Sequence, residues 1–164
     1  ESQLASIKYD SLMVGNEGSK ILLGVNVSAS NKKDALIGSI IMNHNKVYNY
    51  LTTDLGKRDD EFGLPILTTD PVNFKDKEVS YFYGMPVTKK VGLSDNNFSF
   101  KTINASKYYY IYYKGKYGGR QTAIQQLMQK AKKDTMRSGE LQQWFLEPPS
   151  EGDVVMKIML PVYR

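Results

Sequence analysis

The sequence has no cysteine and a single histidine, His44. The first absence removes disulfides, thiolate metal sites and cysteine nucleophiles together. The second removes multi-histidine metal centres and histidine relays. His44 itself lies in an apolar-periodic segment, where a half-buried structural imidazole is the expected role. Nothing in this composition calls for a cofactor or a metal. Long apolar runs are missing too. The apolar, charge-free stretch Ala35 to Asn43 falls far short of the roughly 20 residues a membrane-spanning helix needs, so no transmembrane segment is expected. No basic-then-apolar leader opens the chain. It starts at Glu1 rather than Met, which leaves room for a leader, an anchor or an additional domain before residue 1. Cytoplasm and cell envelope or periplasm stay equally open as the location.

What is present suits one ordinary domain. A chain of 164 residues can bury a real core, and its apolar and charged fractions are near globular averages. The net charge of +5 is spread along the chain. Its densest cluster, Lys130, Lys132, Lys133 and Arg137, has the spacing of the wet face and C-terminal end of a helix. Nucleic-acid binding needs cations gathered on one face, and this pattern does not supply that.

Hydrophobic periodicity predicts two helices. Leu36, Ile37, Ile40, Ile41, Val47, Tyr48 and Leu51 form one stripe, with Asn31 and Asp34 as the cap signal and Gly56 as the stop. Ala123, Ile124, Leu127, Met128 and Ala131 form the other, opening after Gly118-Gly119 and running to Ser138-Gly139. Strands are predicted at Ile21–Ser28, Leu64–Thr69, Glu78–Met85, Phe98–Ile103, Tyr108–Tyr113, Leu141–Leu146 and Val154–Leu160. Behind each helix the same punctuation recurs in the same order: Asp70-Pro71 then Met85-Pro86-Val87, and Glu147-Pro148 then Leu160-Pro161-Val162. Proline suits such strand ends because it lacks the ladder donor. The chain therefore reads as an internal duplication. The fold class expected is α+β, with duplicated strand-helix-strand-strand units forming one curved antiparallel sheet, two helices on one face and a ligand cleft on the other.

The segment from Phe98 to Tyr117, the following helix, Trp144-Phe-Leu-Glu-Pro-Pro149 and Ile158-Met-Leu-Pro-Val162 together resemble the GyrI-like, or bacterial effector-binding, domain family. Lys114-Gly115-Lys116-Tyr117 matches its basic-Gly-any-Tyr strand end, and Leu160-Pro161-Val162 matches its closing strand. Asp70-Pro71 and Gly84-Met85-Pro86-Val87 match more loosely. On this resemblance residues 1–19 are an N-terminal extension or linker and 20–164 the GyrI-like domain, with halves at about 20–90 and 91–164. The resemblance implies a central cleft for hydrophobic, often cationic compounds, in a stand-alone or C-terminal sensor or sequestering domain. It implies no direct DNA binding by this chain. Many members carry a glutamate at the cleft floor where this sequence has Gln143, and tyrosine where it has Phe145. A neutral amide neither attracts a cation strongly nor serves as a general base, so non-enzymatic binding is favoured over hydrolysis.

For the cleft wall, strand parity puts Tyr108, Tyr110 and Tyr112 on one face and Tyr109, Ile111 and Tyr113 on the helix side. The ligand-binding residues expected are Tyr81, Tyr83, Tyr108, Tyr110, Tyr112, Gln143, Phe145 and, at the rim, Glu147, with no catalytic residue. Parity also sends Trp144 to the helix-side core, and Tyr117 reads as a structural anchor. The plain alternative is that these tyrosines pack the sheet, since tyrosine is a favoured strand residue. The ligand expected is small and hydrophobic or amphipathic. Two other functions remain: a small hydrolase of the same family acting on a hydrophobic electrophile, with Glu147 or a tyrosine polarising water, and a protein-interaction module using the cleft. Haem binding is a weaker fourth, with His44 its one nitrogen ligand.

Overall fold

The computed structural model describes residues 8–32, 35–69 and 77–164. The strands are β1 (Leu12–Glu17), β2 (Lys20–Ser30), β3 (Ile66–Thr69), β4 (Glu78–Val87), β5 (Ser99–Ile103), β6 (Ser106–Lys116), β7 (Arg137–Ser138), β8 (Leu141–Phe145) and β9 (Asp153–Tyr163); the helices are α1 (Ala35–Asn49) and α2 (Gln121–Lys133). All strands join one antiparallel sheet in the order β1-β6-β9-β8-β3-β4-β2-β5, with β7 added alongside β9.

That order is a palindrome. Each half contributes strand-helix-strand-strand, β2-α1-β3-β4 and β6-α2-β8-β9, and the halves meet where β3 pairs with β8. The expected duplication is repeated in detail. Gly63 N–H donates to Pro86 O at 2.9 Å, and Gly139 N–H donates to Pro161 O at 3.0 Å. In both halves a Cβ on the glycine would press on the proline ring at 3.2 Å. The two Pro-Val pairs thus fall in the last residues of their strands, each under a glycine that leaves room for the ring. The first-half Asp70-Pro71 turn and the Asp34 cap lie outside the described residues.

The helix signals translate directly. Leu36, Ile37, Ile40 and Val47 of α1 are buried, as are Ala123, Ile124, Leu127 and Ala131 of α2. After α1 a wider turn, Tyr50–Asp54, carries the chain to Gly56, whose φ of +65° ends it. The second helix stops earlier than its spacing predicts. Met136 N–H reaches back to Ala131 O past Thr135, which sits at φ +53°. Arg137 and Ser138 then join the sheet, and Gly139 serves the proline contact rather than the helix end.

Residues 12–17, which the resemblance assigns to an N-terminal extension, form the edge strand β1 on β6. Period-two registers divide the sheet into two faces. Leu23, Val25, Leu67, Tyr81, Tyr83, Tyr109, Ile111, Leu141, Phe145, Met156 and Ile158 join the helices in the main core. A smaller cluster of Leu22, Ile66, Phe82 and Ile103, with Trp144 against it, lies on the other face. Trp144 is therefore not in the helix-side core. It donates to Gln142 Oε1, two residues back on the same face.

Candidate functional site

The position of the site is set by where the helices sit. α1 packs on β2 and β4, and α2 packs on β6 and β9. The central strands β3 and β8 lie between them. Along that junction a gap remains on the helical side, floored by the buried Leu67 and Thr69 from β3 and Leu141 and Gln143 from β8.

One wall comes from the turn between β6 and α2. Tyr113 aims its hydroxyl back at Lys116 O, into space that only glycine leaves free: a Cβ at Gly119 would collide with the hydroxyl oxygen, and one at Gly115 would meet it at 2.8 Å. The chain is thereby held in a tight turn over Tyr117–Arg120 before α2 begins. Tyr117 drops onto the sheet, stacks on Phe145 with centroids 6.2 Å apart, and donates its hydroxyl to Gln143 Oε1 at 2.6 Å. Arg120 folds over it. The guanidinium carbon lies 3.8 Å from the Tyr117 ring centroid, and Nη1 donates to Tyr117 O at 3.0 Å. The facing wall is α1. Ser39 Oγ and Tyr81 Oη are 2.7 Å apart, Asn43 Nδ2 donates to Tyr81 Oη at 3.2 Å, and His44 Nδ1 is 2.7 Å from Tyr83 Oη.

Between the walls is a small enclosed cavity of about 10 Å³, lined by Leu36, Leu67, Thr69, Val79, Tyr81, Tyr117, Arg120, Ile124, Leu141 and Gln143. That is scarcely room for one water. Leu36, Tyr117 and Arg120 also line a groove of about 720 Å³ that opens above it, between Asn31, Lys32 and Ile37 on one side and Lys116, Gln121, Ser150 and Glu151 on the other. Small-molecule sites typically measure about 300–1,000 Å³, so the groove is of ligand size and the cavity is its deep end.

The phenols here act as neutral donors. Burial raises the Tyr117 pKa above its ordinary value, against the lowering effect of the Arg120 charge and the Gln143 hydrogen bond. Burial likewise pushes Tyr83 far above the phenol range, with Tyr81 and Tyr117 adding to the shift. Among the described residues the deep cavity has no carboxylate and no imidazole on its lining. At neutral pH it offers shape, apolar surface, an amide, hydroxyls and one guanidinium.

The eight expected site residues do not form one site. Tyr81 and Gln143 line the deep cavity, and Tyr83 and Phe145 pack beside it, with ring centroids 6.0 Å apart. Tyr108, Tyr110 and Tyr112 lie on the opposite face of the sheet, and Glu147 is exposed in the loop after β8. Parity holds within β6; its outer face simply does not adjoin the inner-face residues of β8. The outer tyrosines are claimed by the protein's own groups. Lys157 Nζ lies 4.4 Å from the Tyr110 centroid and 5.7 Å from that of Tyr112, and it is 3.7 Å from Glu17. Tyr108 Oη accepts from Gln142 Nε2 at 2.8 Å. Opposite the helices Tyr110 and Tyr112 carry Lys157 and Tyr108 borders a hollow of about 400 Å³, while the groove of about 720 Å³ lies on the helical side. Sequence reasoning missed Tyr117 and Arg120 as site residues. The glycine pair between them was the available signal, since two residues without side chains let the chain turn tightly and lay its neighbours on the sheet.

No protein-family model matches the sequence, and no curated protein does. Solved structures do. The EcmrR C-terminal domain superposes with a TM-score of 0.69 at 14% identity, covering 96% of this chain and 99% of that one. This is the GyrI-like fold. A hydrolase from Listeria innocua shares it at a TM-score of 0.61 and 10% identity, covering 99% of this chain and 96% of its own. SAV2435, solved bound to tetraphenylphosphonium, shares it at 0.53 and 16%, covering 93% of this chain and 94% of its own. The GyrI-like fold accounts for the palindromic sheet and for the paired helices flanking its junction. No helix among the described residues is long and apolar enough to cross a membrane.

Proposed function

We propose that this chain binds a small amphipathic molecule in the groove between its helices and does no chemistry on it. The observation that carries this reading is a groove of about 720 Å³ between the helices, which shares Leu36, Tyr117 and Arg120 with a small cavity against Tyr81 and Gln143. An apolar floor takes a hydrophobic body, and a few fixed polar groups orient it. The GyrI-like fold hosts a tetraphenylphosphonium complex in SAV2435, so a small-molecule partner is in keeping with the architecture. A hydrolase shares the fold as well. Hydrolysis needs a group that takes a proton from water near neutral pH. The described groups lining the deep cavity are raised-pKa phenols, a neutral amide and a guanidinium, and Glu147 stands outside it.

The test is a panel of hydrophobic dyes, amines, amides and carboxylates, followed by thermal shift and calorimetry. Binders are expected, and Gln121→Trp, which puts a bulky ring into the groove, should weaken them by at least about tenfold, the loss expected when a bulky group occupies the anchoring pocket. A panel with no binder at millimolar concentration, or binding untouched by that substitution, would overturn the assignment.

A further inference from the structure

Resting on that proposed binding role, we infer that the group seated against Arg120 in the groove is an anion, and that the ligand is an amphipathic organic carboxylate. Three observations converge. Arg120 is only 5% exposed, and its Nε is buried without a hydrogen-bond partner while Nη1 is held by Tyr117 O. A guanidinium offers five donors in a planar fork that suits a carboxylate. Leaving one of them buried and unpaired is costly unless something else completes it. No acidic side chain among the described residues forms a salt bridge with Arg120.

The second observation is the charge around the groove. Lys32, Lys116 and Arg120 line it, opposed among the described residues by one carboxylate, Glu151. Lys116 Nζ reaches the Glu151 main-chain oxygen at 3.5 Å rather than its side chain. The third is the start of α2. Arg120 is its N-cap residue and makes no side-chain cap, and no acidic residue lies in the first turn. The positive end of a 13-residue helix therefore faces the same place as the guanidinium. Stacking on Tyr117 fixes the fork, so it is already in position when an anion arrives. A cationic guest would meet a charge of its own sign at the bottom of the groove.

Three probes with one aromatic body decide this: naphthalene-2-carboxylate, naphthalene-2-carboxamide and 2-naphthylmethylamine, titrated into the full chain by calorimetry at low salt. The acid should bind about tenfold or more tighter than the amide, the gain of a charge-assisted fork over a neutral contact, with the amine weakest. Arg120→Met should abolish the acid's advantage while leaving amide binding in place, and Arg120→Lys should keep part of it. If Arg120→Met does not fold, the wild-type ratio still decides. An amide that binds as well as the acid, or an amine that binds best, overturns the anionic site and leaves the groove reading standing. Silence from all three overturns both.

Discussion

Each face of the sheet holds a cation over tyrosine rings, and the two cations are treated differently. On the outer face Lys157 sits over Tyr110 and Tyr112, has Trp144 at 5.3 Å, and pairs with Glu17. Glu17 is shared with Lys20, 3.8 Å away, so both lysines have an acidic partner. On the inner face Arg120 sits over Tyr117, is more deeply buried, donates to Tyr117 O, and has no acidic partner among the described residues. The outer arrangement is complete without a guest. The inner one has a donor left over beside a groove. Aromatic rings and a cation alone do not mark a binding site; the missing counter-charge does.

Three comparisons would break or sharpen that contrast. The largest effect should come from the floor of the inner face. Phe145 is fully buried against Tyr83 and Tyr117, and Phe145→Ala should cost about 3–5 kcal/mol in urea unfolding, as large-to-small changes in packed cores do. Tyr110→Ala, at a half-buried outer position, should cost about 1 kcal/mol. Equal losses would mean the outer face is as much a core as the inner.

The next largest difference concerns the two cations. Arg120→Met removes a buried charge that has no acidic partner among the described residues, so stability should hold or rise by about 1 kcal/mol. Lys157→Met removes a paired cation and should lower stability by about 1 kcal/mol, from the lost ring contacts and the Glu17 pair. Chemical denaturation of the two variants side by side checks this, and a larger loss for Arg120→Met would erase the distinction.

The smallest effect is a pH dependence carried by α1. Burial lowers the His44 pKa below its ordinary 6.5, while its Nδ1 contacts Tyr83 Oη. The unfolded chain therefore binds the proton first. Stability should fall as pH drops below about 6.5 and level off once the folded-state His44 also protonates. His44→Gln should flatten that part of the profile, read from melting temperature between pH 7 and 5.5. A slope unchanged by the substitution would assign it to another group.

Much of this architecture was legible in the sequence because its causes are local. The helix stripes, the Gly56 stop and the strand parity of β6 each depend on a few neighbouring residues, and the repeated Pro-Val endings exposed the duplication. Where a segment's partner was distant, the reading failed. Residues 12–17 carry Gly15 and Asn16 and a mixed pattern, and they become a strand because β6 offers an unpaired edge. Ser138-Gly139 has the look of a helix stop, yet Gly139 is there for Pro161. Of the residues expected at the site, Tyr81 and Gln143 line the small cavity, while Tyr108, Tyr110 and Tyr112 lie on the other face of the sheet. Arg120 was marked only by the glycine pair before it, and an arginine beside glycines at a helix start ordinarily points into water.

What the sequence alone determined is the pair of strand-helix-strand-strand units, because hydrophobic period and turn chemistry act over a few residues. What only the tertiary structure decided is which face of the sheet holds the groove. That depends on the helices coming to rest over the outer strands of each half, and on a glycine-bound turn pressing Tyr117 and Arg120 into the gap over β3 and β8. Parity tells which residues share a side; only packing tells what else stands there.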